Sequence, residues 1–432
     1  MLQTLRNAWK IPDLRKKMLF TLLMVVIFRM GSYIPVPGLD AAAIEELFGG
    51  FSGGMQGLLN NFSGGAMERG SIFAMGISPY INASIIMQLL TVAIPALERL
   101  SKEGEEGRKK ISSYTRYATV ILGFLQAVGL FFGLKNSITL GNAVMSFIVV
   151  TLTFTAGTAF LMWLGEQITD KGIGNGISII IFIGIVSRGP AMIQSLRATL
   201  MSSGDVISIS SVISIAAVLI ISVLMIAFVV LMNDAERRIP VQYAKRVVGR
   251  KMYGGQSTHI PIKVAMAGVM PIIFAVSIMS FPQTINMFVN GTQMPESRFW
   301  SAVLSLFQQT HPFYIIAYFL LILFFTYFYT ALQFNPIEMA NNMKKNGGFI
   351  PGIRPGKSTS DYISKVLSRI TLVGALFLAV IAIFPILMGF LPNMGNISIG
   401  GTSLLIVVGV ALETVKQIES MMLMRHYKGF LE

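Results

Sequence analysis

Side chains able to do chemistry are few in this chain, and their spacing removes most of the reactions they usually perform. The three histidines, His259, His311 and His426, lie far apart, so no HExxH-type zinc site is available. There is no cysteine, which removes disulfides and thiolate metal ligands. Ser78 in GISP (76–79) and Ser178 in GISI (176–179) lie just behind a glycine, but the histidines sit at the edges of apolar runs and none lies inside one to activate either hydroxyl. Helix packing through small residues accounts for both. All six aspartates (13, 40, 170, 205, 234 and 361) fall in polar connections or tails, so no intramembrane aspartyl pair exists. A GxxxxGK[ST] phosphate loop is absent, so any ATP must be hydrolysed by a partner. No catalytic group, metal or cofactor is expected, and the chain reads as a passive conduit rather than an enzyme.

What remains is uncharged polarity interleaved with isoleucine. The apolar run SIFAMGISPYINASIIMQLLTV carries Ser78, Asn82, Ser84, Gln88 and Thr91 among its isoleucines. Ile81 and Ile85, four apart, share one helical face. In GIGNGISIIIFIGIVS, Ile177, Ile181 and Ile185 share another. Two readings of these faces stand side by side: packed or lipid-facing isoleucine, and a hydrophobic constriction that seals a wettable path by dewetting.

The elements that must hold these residues follow from composition. The 432 residues are 53% hydrophobic and only 12% charged, about half the charge of a soluble chain. Apolar runs long enough to cross a hydrocarbon core are placed near 18–36, 72–94, 114–134, 143–165, 174–190, 207–232, 262–289, 310–334, 368–391 and 398–416. The first follows a basic stretch (Arg6, Lys10, Arg15, Lys16 and Lys17). Arg29 interrupts it and no small-residue cleavage site follows, so it reads as a retained span. The net charge of +14 is concentrated at the N-terminus, in 99–116, 237–263 and 344–369, and after Lys416. Charge-poor connections alternate with these, which predicts cytoplasmic termini and an even number of spans. From Ile370 to Leu412 there is no Asp, Glu, Lys or Arg. A proton- or ion-coupled transporter would need a midplane carboxylate, so that class is disfavoured. An insertase or scaffold without a through-pore stays open.

Five spans followed by five insert the second half from the opposite side, which permits an inverted repeat. The expected halves are 1–200 and 201–432, the second carrying two long, charged loops at 233–262 and 335–367. Those loops are too long for simple turns and fit either a soluble docking partner or a purely topological role. FSGGMQGLLNNFSGGAMERG (51–70) is Gly-rich and only mildly apolar. It is either an external loop or irregular backbone at membrane depth, buried in protein or lining a cavity.

Several stretches resemble the SecY family of protein-conducting channels. They are GISPYINASIIMQLL (76–90), EGEEGRKKISSYTRY (103–117), FLMWLGEQITDKGIGNGISIIIF (160–182), RRIPVQYAKR (237–246), QSTHIPIKVAMAGVMPIIFA (256–275), NPIEMANNMKKNGGFIPGIRPG (335–356) and GGTSLLIVVGV (400–410). The resemblance covers almost the whole chain, in order. It implies an all-α polytopic membrane protein of about ten transmembrane helices, in two inverted five-helix halves around a central pore. The pore ring maps to Ile81, Ile85, Ile181, Ile185, Ile273 and Ile406, and the 51–70 segment to a plug whose glycines suit a short helix that moves. The second and third spans, facing the seventh and eighth, map to a lateral gate. There Asn82, Gln88 and Thr91 are candidates for polar contacts, with plain helix packing as the competing role.

The same resemblance implies that the basic loops dock a motor ATPase and the ribosome through Arg246, Arg250, Lys251 and Arg354. Its remaining implied partners are the small membrane subunits SecE and SecG, the SecA motor, signal sequences and preproteins, and the surrounding lipid bilayer. The implied location is the inner, cytoplasmic membrane of the cell. The implied activity is outward passage of unfolded polypeptide, with sideways release of hydrophobic segments into lipid.

Overall fold

In lipid every backbone amide must find its partner within the chain, so the apolar runs become helices. The computed structural model describes residues 2–40, 42–45, 60, 63–134, 137–139, 141–191, 193–194, 209–243, 246–248, 251–253, 257–290, 297–308, 311–388 and 401–428. Among them a short helix, α1 (Leu2–Lys10), leads into α2 (Pro12–Gly31). The first half continues with α3 (Ser78–Ala93), α4 (Pro95–Lys102), α5 (Glu105–Gly133), α6 (Ala143–Lys171) and α7 (Gly176–Val186). The second half holds α8 (Ile209–Asp234), α9 (Met270–Asn290), α10 (Arg298–Leu306), α11 (Pro312–Gln333), α12 (Pro336–Lys345), α13 (Lys357–Met388) and α14 (Gly401–Lys428). The expected spans correspond to α2, α3, α5, α6, α7, α8, α9, α11, α13 and α14. By length and apolar content alone, five described helices reach across a membrane, or six if the bent pair α3–α4 is one span. The helices α7 and α9 are apolar but shorter.

Several boundaries move for local reasons. The second span was expected from residue 72, yet α3 starts at Ser78. Gly76 there has φ +57°, and Pro79 sits in the first turn, where its missing N–H costs nothing. The third and ninth spans, expected from 114 and 368, begin earlier, because α5 and α13 run on through their charged stretches and start at Glu105 and Lys357. Beyond Ile94 the chain turns by 101° into α4, whose charged and apolar residues lie on opposite sides.

Helix packing in lipid depends on close approach, because the surroundings are as apolar as the core. Glycines supply it here. A Cβ on Gly157 of α6 would lie 2.0 Å from the Ile72 carbonyl oxygen, and one on Gly374 of α13 2.4 Å from that of Val264. Within the first half, α3 packs on α5, α5 on α6, and α6 on α7 and α2. Within the second, α9 packs on α11, α11 on α13, and α8 on α14. The halves meet along two seams, α5 against α9 and α7 against α14, and α1 also rests on α14.

The two long loops, read separately from sequence, form one unit. Strand β1 (Glu236–Tyr243) pairs antiparallel with β4 (Ser257–Lys263), Ile239 opposite Ile260. It also pairs with β5 (Gly348–Phe349) from the second loop, Gln242 opposite Phe349. Between β1 and β4, β2 (Arg246–Val248) and β3 (Lys251–Tyr253) make a hairpin. Ile239, Val241, Ile262, Met343, Ile350, Ile363 and Leu367 form a separate small core beneath the sheet. These strands add to an otherwise helical chain.

Candidate functional site

Between the halves lies a cavity of about 960 Å³, lined by residues of α3, α5, α6, α7, α9, α11, α13 and α14 and of the strand region. Its lining changes character along each helix. On α14, Ile406 comes first, with Glu413 and Lys416 two to three turns on. On α3, Ile81 is followed on the same face by Ser84 and Gln88. Ile181 of α7 and Ile273 of α9 complete the isoleucine end, while Arg116, Glu166, Asp170 and Lys263 line the charged part. The charged end is the face that bears the termini and the sheet. Arg116 pairs with Glu166 at 2.7 Å, and Lys416 with Asp234 at 2.6 Å. Both pairs are partly solvated, so each contributes only about 0–1 kcal/mol. They define a wet, mixed-charge mouth.

Ile81, Ile85, Ile181 and Ile406 are buried in one core cluster, and Ile185 and Ile273 pack against it half-buried. Ile81, Ile181, Ile273 and Ile406 line the cavity; Ile85 and Ile185 are not among its lining residues. These four come from both halves, two each, and Ile177 of α7 lines the cavity as well. Their helices are held by specific local chemistry. Asn175 caps α7, accepting from the backbone N–H of Ile177 at 3.1 Å and of Ser178 at 3.3 Å. Gly176 lets α7 fold back on α6, since a Cβ there would meet the Gly165 carbonyl oxygen at 1.9 Å. Thr169 fixes the same hairpin by accepting from Gly176 N–H at 2.9 Å.

At the seam, the Ser277 hydroxyl of α9 donates to Asn82 of α3 at 3.4 Å. Gln88 and Thr91, expected to face the same seam, hydrogen-bond within α3. Gln88 donates to Ser84 at 3.5 Å, and Thr91 donates to the Gln88 carbonyl at 2.7 Å. Gln88 also lines the cavity.

On the sheet side, Arg354 is exposed, in a turn framed by Gly352 at φ +80° and Gly356 at φ +104°. Its carbonyl accepts from the Thr359 hydroxyl at 2.9 Å. Arg246 and Lys251 lie on the two strands of the β2–β3 hairpin; Arg250 lies outside the described residues. Of the 51–70 segment, residues 60 and 63–70 are described. Ser63 to Met67 and Gly70 are buried, in a succession of turns with Gly64, Gly65 and Gly70 at positive φ. Irregular backbone buried in protein is therefore the reading that holds for these residues. Arg29, in the first span, reaches these residues. It donates to the Gly64 carbonyl at 3.4 Å and to the Tyr33 hydroxyl at 3.3 Å.

Sequence reading gave no role to Ser277, to the Arg116–Glu166 pair or to Glu68 and Arg188. Arg116 and Glu166 lie in segments already singled out, but their pairing spans fifty positions. Among the described residues no group of three His, Asp or Glu side chains comes together as metal ligands.

The SecY family model matches residues 71–415. Protein translocase subunit SecY of Halalkalibacterium halodurans is 48% identical over 439 residues, covering all of both chains. Among solved structures, a SecY channel whose plug domain stabilises the closed state and maintains a membrane seal superposes with a TM-score of 0.62. It is 18% identical, over 94% of this chain and 92% of that one. Sec61 in the canine ribosome–channel complex from the endoplasmic reticulum gives a TM-score of 0.60 at 16% identity, over 94% and 92%. With a family match over most of its length and a relative nearly half identical from end to end, the chain belongs to the SecY family.

Proposed function

We propose that this chain is the pore subunit of a protein-conducting channel, passing unfolded preproteins across the cytoplasmic membrane and releasing transmembrane segments sideways into lipid. The observation that carries this is the cavity between the halves, with a charged mouth and an isoleucine end built from α3, α7, α9 and α14. Branched apolar side chains close on one another without binding any passing sequence strongly, and they exclude ions by dewetting. Ile81, Ile85, Ile181, Ile185, Ile273 and Ile406 form the ring. The halves are 1–200 and 201–432, and the 51–70 segment is the plug.

Asn82, with Gln88 and Thr91, belongs to the lateral gate, supported by the hydrogen bond from Ser277. The face bearing the sheet and both termini is cytoplasmic. Arg246, Arg250, Lys251 and Arg354 dock the SecA motor and the ribosome there, a role supported by the ribosome-bound state of the Sec61 neighbour. The chain does not itself hydrolyse ATP; the motor does. SecE and SecG are its small membrane subunits.

Vesicles carrying the chain with those two subunits, supplied with motor and ATP, are expected to shield a secretory preprotein from added protease. Equal shielding without ATP, or without the chain, contradicts the proposal.

A further inference from the structure

On the face opposite the cavity mouth, one carboxylate gathers three pieces of chain. Glu68 accepts from Arg188 Nη2 at 3.0 Å and from the side-chain amide of Asn60. Both ion-pair partners are mostly covered, with side chains 29% and 27% exposed, so the contact is less screened than a surface pair. Asn60 is buried, and its Oδ1 has no partner. Its one described side-chain contact is therefore the one to Glu68.

The surrounding backbone is pressed close. A Cβ on Gly64 would lie 2.6 Å from the Ser187 hydroxyl and 3.2 Å from the Gly184 Cα, both at the end of α7. Gly65 N–H donates to the Asn60 carbonyl at 2.9 Å, and Ser71 N–H to the Ala66 carbonyl at 3.0 Å. Further along, Val36 N–H holds the Gly70 carbonyl at 2.9 Å. Arg69 lies over the Tyr33 ring at 4.4 Å, with Arg29 at 5.3 Å from the same ring. Residues 66–72 are thus fixed to the end of α2, whereas Asn60, Ser63 and Gly64 are held through Glu68 and the end of α7, with Arg29 of α2 adding its hydrogen bond to the Gly64 carbonyl.

Arg188 follows Ile181 by seven positions, about two helical turns, and Ile185 by three. The helix that presents Ile181 to the cavity therefore holds Glu68 at its other end.

We propose that Glu68 is a positioning residue: gripped by Arg188 and Asn60, it couples the seating of residues 60 and 63–70 to the constriction-bearing helix α7. This rests on the channel reading above. A displacement of α7 by a passing polypeptide pulls Arg188 from Glu68 and frees Asn60 with Ser63 and Gly64. Loss of the pair in the resting channel unseats these residues without any substrate.

The test uses the complete translocase complex with Glu68→Gln, Arg188→Gln, the double variant and Arg188→Lys. Hydrogen–deuterium exchange of peptides spanning 60–70 is expected to accelerate in the Gln variants, with exchange in α11 and α13 unchanged. Resting ion flux through reconstituted vesicles is expected to rise about three- to tenfold in each, the loss typical of one net hydrogen bond in a partly solvated setting. The double variant is expected to leak no more than either single, and Arg188→Lys to stay near the parent. Unchanged exchange at 60–70, or leaks that multiply in the double variant, overturns the coupling. Deletion of residues 52–68 runs alongside. If it leaks while the Gln variants do not, the coupling alone fails; if it does not leak either, the channel reading fails and the coupling with it.

Discussion

Ser277 and Asn82 join the two halves by a hydrogen bond of 3.4 Å beside the constriction: Ser277 lies one helical turn beyond Ile273 on α9, and Asn82 directly follows Ile81 on α3. A polar contact between the halves and two of the isoleucines proposed to close the pore therefore sit on the same helices. Parting α3 from α9 disturbs both.

That bond is long, so its contribution is set at about 0.5–1 kcal/mol, or roughly a two- to fivefold bias toward the closed seam. Ser277→Ala and Asn82→Ala are each expected to raise membrane release of a marginally hydrophobic segment by that factor, with the double variant no further changed. Release assayed with a graded series of segments checks this. A fall in release contradicts it.

Polar substitution in the ring acts on wetting. Replacing Ile181 or Ile406 by Asn removes an apolar side chain worth about 1.5–3 kcal/mol of burial. Resting ion flux is expected to increase roughly ten- to hundredfold. Ile185→Asn, at a ring position that packs behind the lining side chains rather than among them, is expected to change flux less. Flux through reconstituted vesicles discriminates the two sets, and equal effects at all three positions contradict the assignment of lining residues.

Glycine packing gives a stability prediction with its own control. Gly157→Ala forces a methyl group against the Ile72 carbonyl oxygen, which is backbone and cannot rotate away. The cost is about 1–3 kcal/mol, read as a lowered unfolding temperature of the detergent-solubilised complex. Gly409→Ala, with nothing within 4 Å of the added carbon, is expected to leave that temperature unchanged.

Charge reversal at Arg354 separates docking from conduction. The side chain is exposed, and among the described residues its carbonyl is engaged by Thr359. Arg354→Glu is expected to reduce ATP-driven preprotein translocation by about tenfold or more, as for loss of a charge-assisted contact. Resting ion flux and thermal stability are expected to stay at the parent values. A parallel loss of stability assigns Arg354 to the fold instead.

The helical frame was legible because runs such as Phe313–Leu332 are long, apolar and nearly free of charge. The isoleucine faces were legible because a period of 3.6 places Ile81 beside Ile85 and Ser84 below them. Boundaries were not, where charge and helix ends part company: α5 carries Glu105, Glu106, Arg108, Lys109 and Lys110 in its first two turns. Long-range pairing was invisible too. β1 meets β5 across more than a hundred residues, and Glu68 meets Arg188 at a separation of 120. Glu68 and Arg69 in a charge-poor connection could be read as topology alone, since neither names its partner. Gln88 and Thr91 were visible as polar positions, while the partner of each was not: a helix satisfies part of such polarity internally, as for Thr91 on the Gln88 carbonyl.

The central claim is that a translocating polypeptide passes through the isoleucine constriction. A photoreactive side chain placed singly at Ile85, Ile181 or Ile406 in the full complex, with a stalled secretory chain, tests it directly. Positions on α3, α7 and α14 are all expected to crosslink to the same segment of the stalled chain. Crosslinks confined to lipid-facing controls such as Leu224 and Phe324, exposed on α8 and α11, would contradict the conduit and leave an insertase or scaffold in its place.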